Sequence, residues 1–288
     1  MTVAITGTTG RVGRALADHF QLSEQVIELP RTDWDLADPR TVDRIMALDF
    51  HALLLPAAIT SLERCEDDPH LAHHVNCESP ARLARACAVL GRKVIFFSTD
   101  YVLAGEAEGL HPEDEPTSPA SVYARTKAEA EKQVLSAHGC VMRVSWVFGP
   151  QRPAFPDMIV DRALAGEPLA AVCDKTSLPC YTKDLCEWTQ KVLSTGCPNE
   201  ILHACQSGEP VSWHGMACEI VDHLMEIDAL GERPEITPLA LDEMDAFKAV
   251  RPRHTAMSTS RLQRYLDSPP RHWQLALREY IDSLSISR

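Results

Sequence analysis

The 288-residue sequence predicts an α/β protein, a Rossmann-type doubly wound parallel sheet with a smaller C-terminal substrate lobe. Three observations carry that expectation. A short β-branched run at residues 2–6 leads directly into Gly7-Thr8-Thr9-Gly10-Arg11-Val12-Gly13 and an apolar-periodic segment through Phe20. Strand-like and helix-like segments then alternate, as a doubly wound sheet requires. Finally, hydroxyl side chains close the apolar run Val94-Ile95-Phe96-Phe97 in Ser98-Thr99-Asp100, at the strand end where open α/β sheets collect ligands.

Taken in order, residues 26–29, 52–55, 94–97 and 140–144 read as strands after the first. Residues 39–47, about 70–90 and 122–138 read as helices between them. Past Gly149-Pro150 the pattern turns mixed, with Pro153, Pro156, Pro168 and Pro179 breaking short elements. We therefore divide the chain into a dinucleotide-binding domain over 1–150 and a substrate-binding lobe over 151–288, the later segments interleaving with the first domain. No internal repeat or low-complexity segment interrupts this plan.

Composition sets the class. With 45% hydrophobic and 24% charged residues the chain can bury a large core. No apolar run approaches the ~20 residues of a membrane helix, and the start lacks a signal-peptide pattern, so the expected location is the cytoplasm. Ten scattered cysteines without a C-x-x-C pair point to reduced thiols. A formal charge of −13 disfavours nucleic acid and anionic membranes. His70, His73 and His74, following Cys65, Glu66, Asp67 and Asp68, read as a solvated helix face, and no metal is expected.

The glycine turn has a physical purpose. It must be tight, let the backbone approach a pyrophosphate, and aim a helix amino terminus with its free N–H groups at the anion. Gly7, Thr9, Gly10, Arg11, Val12 and Gly13 are thus expected to bind a dinucleotide. Tyr123 and Lys127 stand four residues apart, which places a phenol and an ammonium on one helical face. A nearby ammonium is expected to lower the tyrosine pKa and let it donate a proton at neutral pH.

On these residues the chain resembles the extended short-chain dehydrogenase/reductases, and within them the dTDP-4-dehydrorhamnose reductase-like family. The G-x-x-G-x-x-G turn, Ser98-Thr99-Asp100-Tyr101-Val102 and Tyr123-x-x-x-Lys127 carry the likeness. So do Pro56-Ala57-Ala58-Ile59-Thr60, Glu66-Asp67-Asp68-Pro69 with Asn76, Arg143-Val144-Ser145-Trp146-Val147-Phe148, and Arg251-Pro252-Arg253-His254 with Leu262. The resemblance implies Thr99, Tyr123 and Lys127 as catalytic residues: Tyr123 as proton donor, Lys127 on the nicotinamide ribose, Thr99 orienting the carbonyl. Ser98 is the alternative hydroxyl. It further implies Asp35 and Leu36 near adenine, Ala58, Ile59 and Thr60 along the cofactor, and Asp100 and Trp146 near substrate. Asp100 capping the next turn is the competing expectation.

The resembling reductases carry an aspartate where Pro30 stands, and Arg31 beside it is suited to a 2′-phosphate through its planar, doubly donating guanidinium. Arg11 is a second candidate for that phosphate. The expected cofactor is NADP, with NAD left open. The implied activity is reduction of a 4-keto nucleotide sugar by hydride addition to the carbonyl carbon. Two other implications stand beside it: an NADP-binding regulatory subunit resembling the β subunit of methionine adenosyltransferase, and a nucleotide-sugar epimerase or dehydratase. The dehydratases need a glutamate where Tyr101 stands. Homodimerisation is left open. Pro56, His254 and the segment after Gly149 depart from the reductase pattern.

Overall fold

The computed structural model describes residues 1–244 and 246–285. In chain order the first elements are β1 (Thr2–Thr6), α1 (Arg11–Phe20), β2 (Gln25–Leu29), α2 (Thr41–Met46), β3 (Ala52–Leu55), α3 (Leu62–Asp67) and α4 (Pro69–His73). A π-helical turn, His74–Glu78, then leads into α5 (Ser79–Val89), β4 (Lys93–Thr99), α6 (Val122–Ser136) and β5 (Cys140–Val144). Next come β6 (Val147–Phe148), α7 (Phe155–Leu164), β7 (Leu169–Val172), β8 (Thr176–Ser177), β9 (Cys180–Tyr181) and α8 (Thr182–Ser194). The chain ends through β10 (Ile201–Ala204), β11 (Val211–Ser212), α9 (Trp213–Glu226), β12 (Ile236–Leu239) and α10 (Trp273–Asp282).

Six parallel strands form the central sheet in the order β10-β5-β4-β3-β1-β2. Val3, Ala4 and Ile5 of β1 and the whole of β3 are buried, because helices cover both faces and leave no side for polar residues. Leu16 and Phe20 of α1 pack with Leu185 and Val192 of α8 under one face. On the other, Leu83 of α5 and Val134 of α6 pack against Leu53 and Phe96. The chain steps from β1 to β2 on one side and returns to β3 on the other, so a crevice opens at the carboxyl ends between them.

The expected strands are all present. The expected helix at 70–90 is α4, the π-helical turn and α5 in succession. Asp68 caps α4 by accepting the Leu71 N–H at 3.0 Å, with Pro69 at its start. The π-helical turn brings Asn76 inward: its amide donates to the Ile59 carbonyl at 3.0 Å and accepts the Ile59 N–H at 2.8 Å. Strand β10 and helix α8 lie after residue 150, yet β10 pairs with β5 in the central sheet and α8 packs beside α1. A separate apolar cluster joins α7, α9 and α10, including Ile159, Ile220 and Leu277. Residues 286–288 of the expected substrate lobe fall outside the described residues. Among those described, no helix is long and apolar enough to cross a membrane.

His203 on β10 shows how the sheet edge is locked. Its ring is fully buried, with Nδ1 donating to the Ser258 carbonyl at 3.0 Å and Nε2 facing Arg143 at 3.3 Å. Arg143 in turn grips Glu131 of α6 with two hydrogen bonds, at 2.9 and 2.7 Å. Burial and the Arg143 charge push the imidazole down from 6.5 to about 3. A depressed histidine favours the fold fully above its unfolded pKa and loses that contribution as pH falls. His203 should therefore cost about 1.4 kcal/mol of stability per pH unit between about pH 6 and 3. Urea unfolding from pH 7 to 4 should give a shallower acid slope for His203→Gln than for wild type; equal slopes would assign the acid sensitivity to other groups.

Candidate functional site

A cleft of about 700 Å³ runs along the carboxyl ends of the strands, from the glycine turn to Tyr123. Every cofactor, substrate and catalytic residue expected from the sequence lines it. Gly7 leaves β1 at φ +61°, where an added Cβ would also sit 3.0 Å from the Ala57 backbone. An added Cβ on Gly13 would lie 2.2 Å from the Gly7 carbonyl oxygen, so α1 can pass beneath the turn only as glycine. The amino end of α1 has no side-chain cap and no acidic residue in its first turn. Its first N–H groups are left for a ligand, and the helix dipole favours an anion there. This opening fits a dinucleotide pyrophosphate.

Arg11 behaves differently from the expectation. Its guanidinium donates to the carbonyls of Arg152 at 3.2 Å, Val147 at 3.0 Å and Pro153 at 2.6 Å. Those bonds direct it toward the loop after β6 and away from Arg31, so its side chain is not free for a 2′-phosphate. Arg31 is 57% exposed and contacts Asp35 at 3.4 Å. An exposed pair of that length is weak and readily exchanged for another anion. Asp35 also accepts the Ala37 N–H at 3.0 Å, which shapes the loop carrying Leu36. Trp34, with Arg44 over its ring at 4.5 Å, lines this end as well. The sequence reading passed it over, though it is the aromatic residue of the loop following the second strand.

At the other end, Ser121 caps α6 through the Ala124 N–H at 3.2 Å and sets Tyr123 in the first turn. Burial raises the Tyr123 pKa above the ordinary tyrosine value, and the neighbouring Thr99 hydroxyl partly offsets that. The expected lowering by Lys127 is absent. The Lys127 ammonium donates instead to the Phe97 carbonyl at 2.6 Å and lies 3.8 Å from the Phe96 ring centre. Burial brings it down to about 7. Sharing a helical face aligned the two Cα–Cβ bonds, but the long lysine side chain reaches past the phenol to the strand.

Asp100 is also corrected. It neither caps the turn nor presents a free carboxylate. Thr99 takes the cap by accepting the Tyr101 N–H at 3.2 Å, while its hydroxyl donates to Asp100 at 3.1 Å. The buried Asp100 carboxylate also receives Thr255 at 2.5 Å and Ser177 at 3.4 Å, both from beyond residue 150. The Lys175 charge pulls its pKa down, yet desolvation outweighs that and raises it. Ser98 Oγ and Trp146 Nε1 are buried without a hydrogen-bond partner. Trp146 adopts φ +42°, an unusual backbone for a bulky residue, and packs on Trp213 at 5.2 Å. Arg152, absent from the sequence reading, lines the cleft beside Arg11.

Comparison with known proteins agrees with this geometry. Residues 1–286 match the family described as RmlD substrate binding domain. The dTDP-4-dehydrorhamnose reductase of Streptomyces griseus is 32% identical, covering 97% of this chain and 93% of that protein. A probable dTDP-4,6-dihydroxy-2-methyloxan-3-one 4-ketoreductase of Streptomyces antibioticus is 30% identical, with coverage of 96% and 92%. The crystal structure of a dTDP-4-dehydrorhamnose reductase from Clostridium acetobutylicum superposes with a TM-score of 0.87 at 27% identity, covering 98% of this chain and 99% of that one. The chain therefore belongs to the dTDP-4-dehydrorhamnose reductase family, the RmlD match spanning nearly its whole length.

Proposed function

We propose that this protein is an NADP-dependent reductase of a 4-keto nucleotide sugar, with dTDP-4-dehydrorhamnose the reference substrate. One observation carries the reading: a single cleft joins an uncapped helix amino terminus at Gly10 to Thr99 and Tyr123 at its other end. The first end suits a pyrophosphate and the second a carbonyl oxygen. The names of relatives near 30% identity, dTDP-4-dehydrorhamnose reductase and a 4-ketoreductase of a related sugar, support the same chemistry. Tyr101, where a dehydratase would need a glutamate, is half-buried edge-on against Tyr123 and offers no carboxyl group as a second acid.

Bound at the glycine turn, NADPH supplies the hydride. The residues supply the rest. Thr99, its hydroxyl turning from Asp100 to the substrate, and Tyr123 hold the carbonyl oxygen in a site from which burial excludes water, and negative charge developing there draws the phenolic proton from Tyr123. Burial keeps Tyr123 protonated at neutral pH, so the acid form is the resting form. Lys127, on the Phe97 carbonyl, fixes the strand end that carries Thr99 and lies along the cleft to meet the nicotinamide ribose. Trp146, with its free indole N–H, is proposed to contact the sugar.

The direct test is NADPH oxidation by the pure protein with dTDP-4-keto-6-deoxy sugars; no turnover with any of them would sink the assignment. Tyr123→Phe should lower kcat by about 10²–10⁴ with cofactor affinity nearly unchanged. Near-normal turnover in that variant would mean that another group carries the proton. NADPH should also bind more tightly than NADH, and Arg31→Ala should remove most of the difference. A hydrogen bond to a charged group contributes about 1.5–3 kcal/mol, so the change should be about tenfold or more. Calorimetric titration of both cofactors against both proteins measures it, and equal wild-type affinities would refute the NADP preference.

A further inference from the structure

Among the described residues, one set of metal-capable side chains gathers outside the cleft: His73, Cys77 and Glu129, whose ligand atoms all lie within 4.8 Å of one another. They come from three elements, the end of α4, the π-helical turn and α6. Nitrogen, sulfur and carboxylate oxygen together favour a borderline-soft divalent ion such as zinc over calcium or magnesium.

The arrangement has a feature beyond proximity. His73 is held between two carboxylates, Nε2 on Glu129 at 3.1 Å and Nδ1 on Glu78 at 3.3 Å. Carboxylate on one ring nitrogen and ion on the other is how ligating histidines are usually oriented. Here Glu78, which also meets His74 Nδ1 at 2.8 Å, lies on Nδ1 and leaves Nε2 toward Glu129. Glu129 is 54% exposed and His73 37%, so the ion can enter from solvent while the thiol forms a buried floor. Bond lengths of about 2.0–2.3 Å put tetrahedral zinc ligands roughly 3.4–3.7 Å apart, and the exposed Glu129 can close that gap by a rotamer change. The fourth position would hold water.

We propose that His73 Nε2, Cys77 Sγ and a Glu129 carboxylate oxygen bind one zinc-class ion, with Glu78 orienting the imidazole. The ion would pin the π-helical turn to α6. That turn also carries Asn76, which holds Ile59, and Val75, and both Ile59 and Val75 line the cofactor cleft. The cysteine would bind as thiolate, its proton passing to solvent. Occupancy would therefore stiffen one cleft wall from outside the cleft.

The full chain should retain one equivalent of Zn²⁺ in equilibrium dialysis, and Co²⁺ in its place should give a thiolate charge-transfer band. His73→Gln and Glu129→Gln should each weaken Zn²⁺ binding at least tenfold and remove the band, and Glu78→Gln should weaken it about tenfold. Because Cys77→Ser alters a buried position, the exposed variants carry the decision. Unchanged affinity in both His73→Gln and Glu129→Gln, or no thiolate band with bound Co²⁺, would overturn the site. The measurements involve no turnover, so failure here leaves the proposed reductase activity untouched.

Discussion

The carboxylate of Asp100 gathers hydroxyls from three separate segments of the chain. Thr99 reaches it from the end of β4, Ser177 from β8 and Thr255 from the segment after β12. Lys175, fully buried, adds a charge nearby while its ammonium donates to the Pro252 carbonyl and faces the Tyr101 ring at 4.6 Å. Burying these two groups away from water carries a desolvation cost. Its return here is positional. Thr99 is held on the same carboxylate that Ser177 and Thr255 reach from distant parts of the chain.

Further contacts join distant segments of the chain. Arg251 pairs with Glu63 of α3 at 2.7 Å and stacks on Phe247 at 3.7 Å from its ring centre. Arg11 joins the glycine turn to the loop after β6 through carbonyl acceptors, which need a donor with several N–H groups in a fixed fork. One residue of the turn thus serves two ends: its backbone faces the anion position, and its side chain holds the loop leading to α7. A lysine there could not reach as many acceptors at once.

The reacting end is tuned mainly by exclusion of water. Tyr123 and Lys127 are both buried, and desolvation is the largest influence on each, raising the phenol and lowering the ammonium. Both shifts favour the neutral form, as burial always does. The same environment strengthens any hydrogen bond that Thr99 and Tyr123 direct at charge growing on a substrate oxygen.

Much of this was legible in the chain because it depends on local rules. Gly7, Gly10 and Gly13 declare a tight turn, and continuous apolar runs declare the strands of a doubly wound sheet. The residues lining the cleft could likewise be named, since a parallel sheet delivers its strand ends to one edge. What the sequence could not determine was where long or polar side chains finish. Lys127 shares a face with Tyr123 but ends on Phe97. Arg11 sits in the glycine turn but ends on the 147–153 loop, and Asp100 closes a strand but ends among residues about 77 and 155 positions later. His73 stood in the sequence beside His70 and His74, whereas folding sets it against Glu129, 56 residues on. Backbone conformation is fixed by neighbours along the chain; the end of a flexible charged side chain is fixed by whichever partner the packed structure brings within 3 Å, and only the tertiary fold decides that.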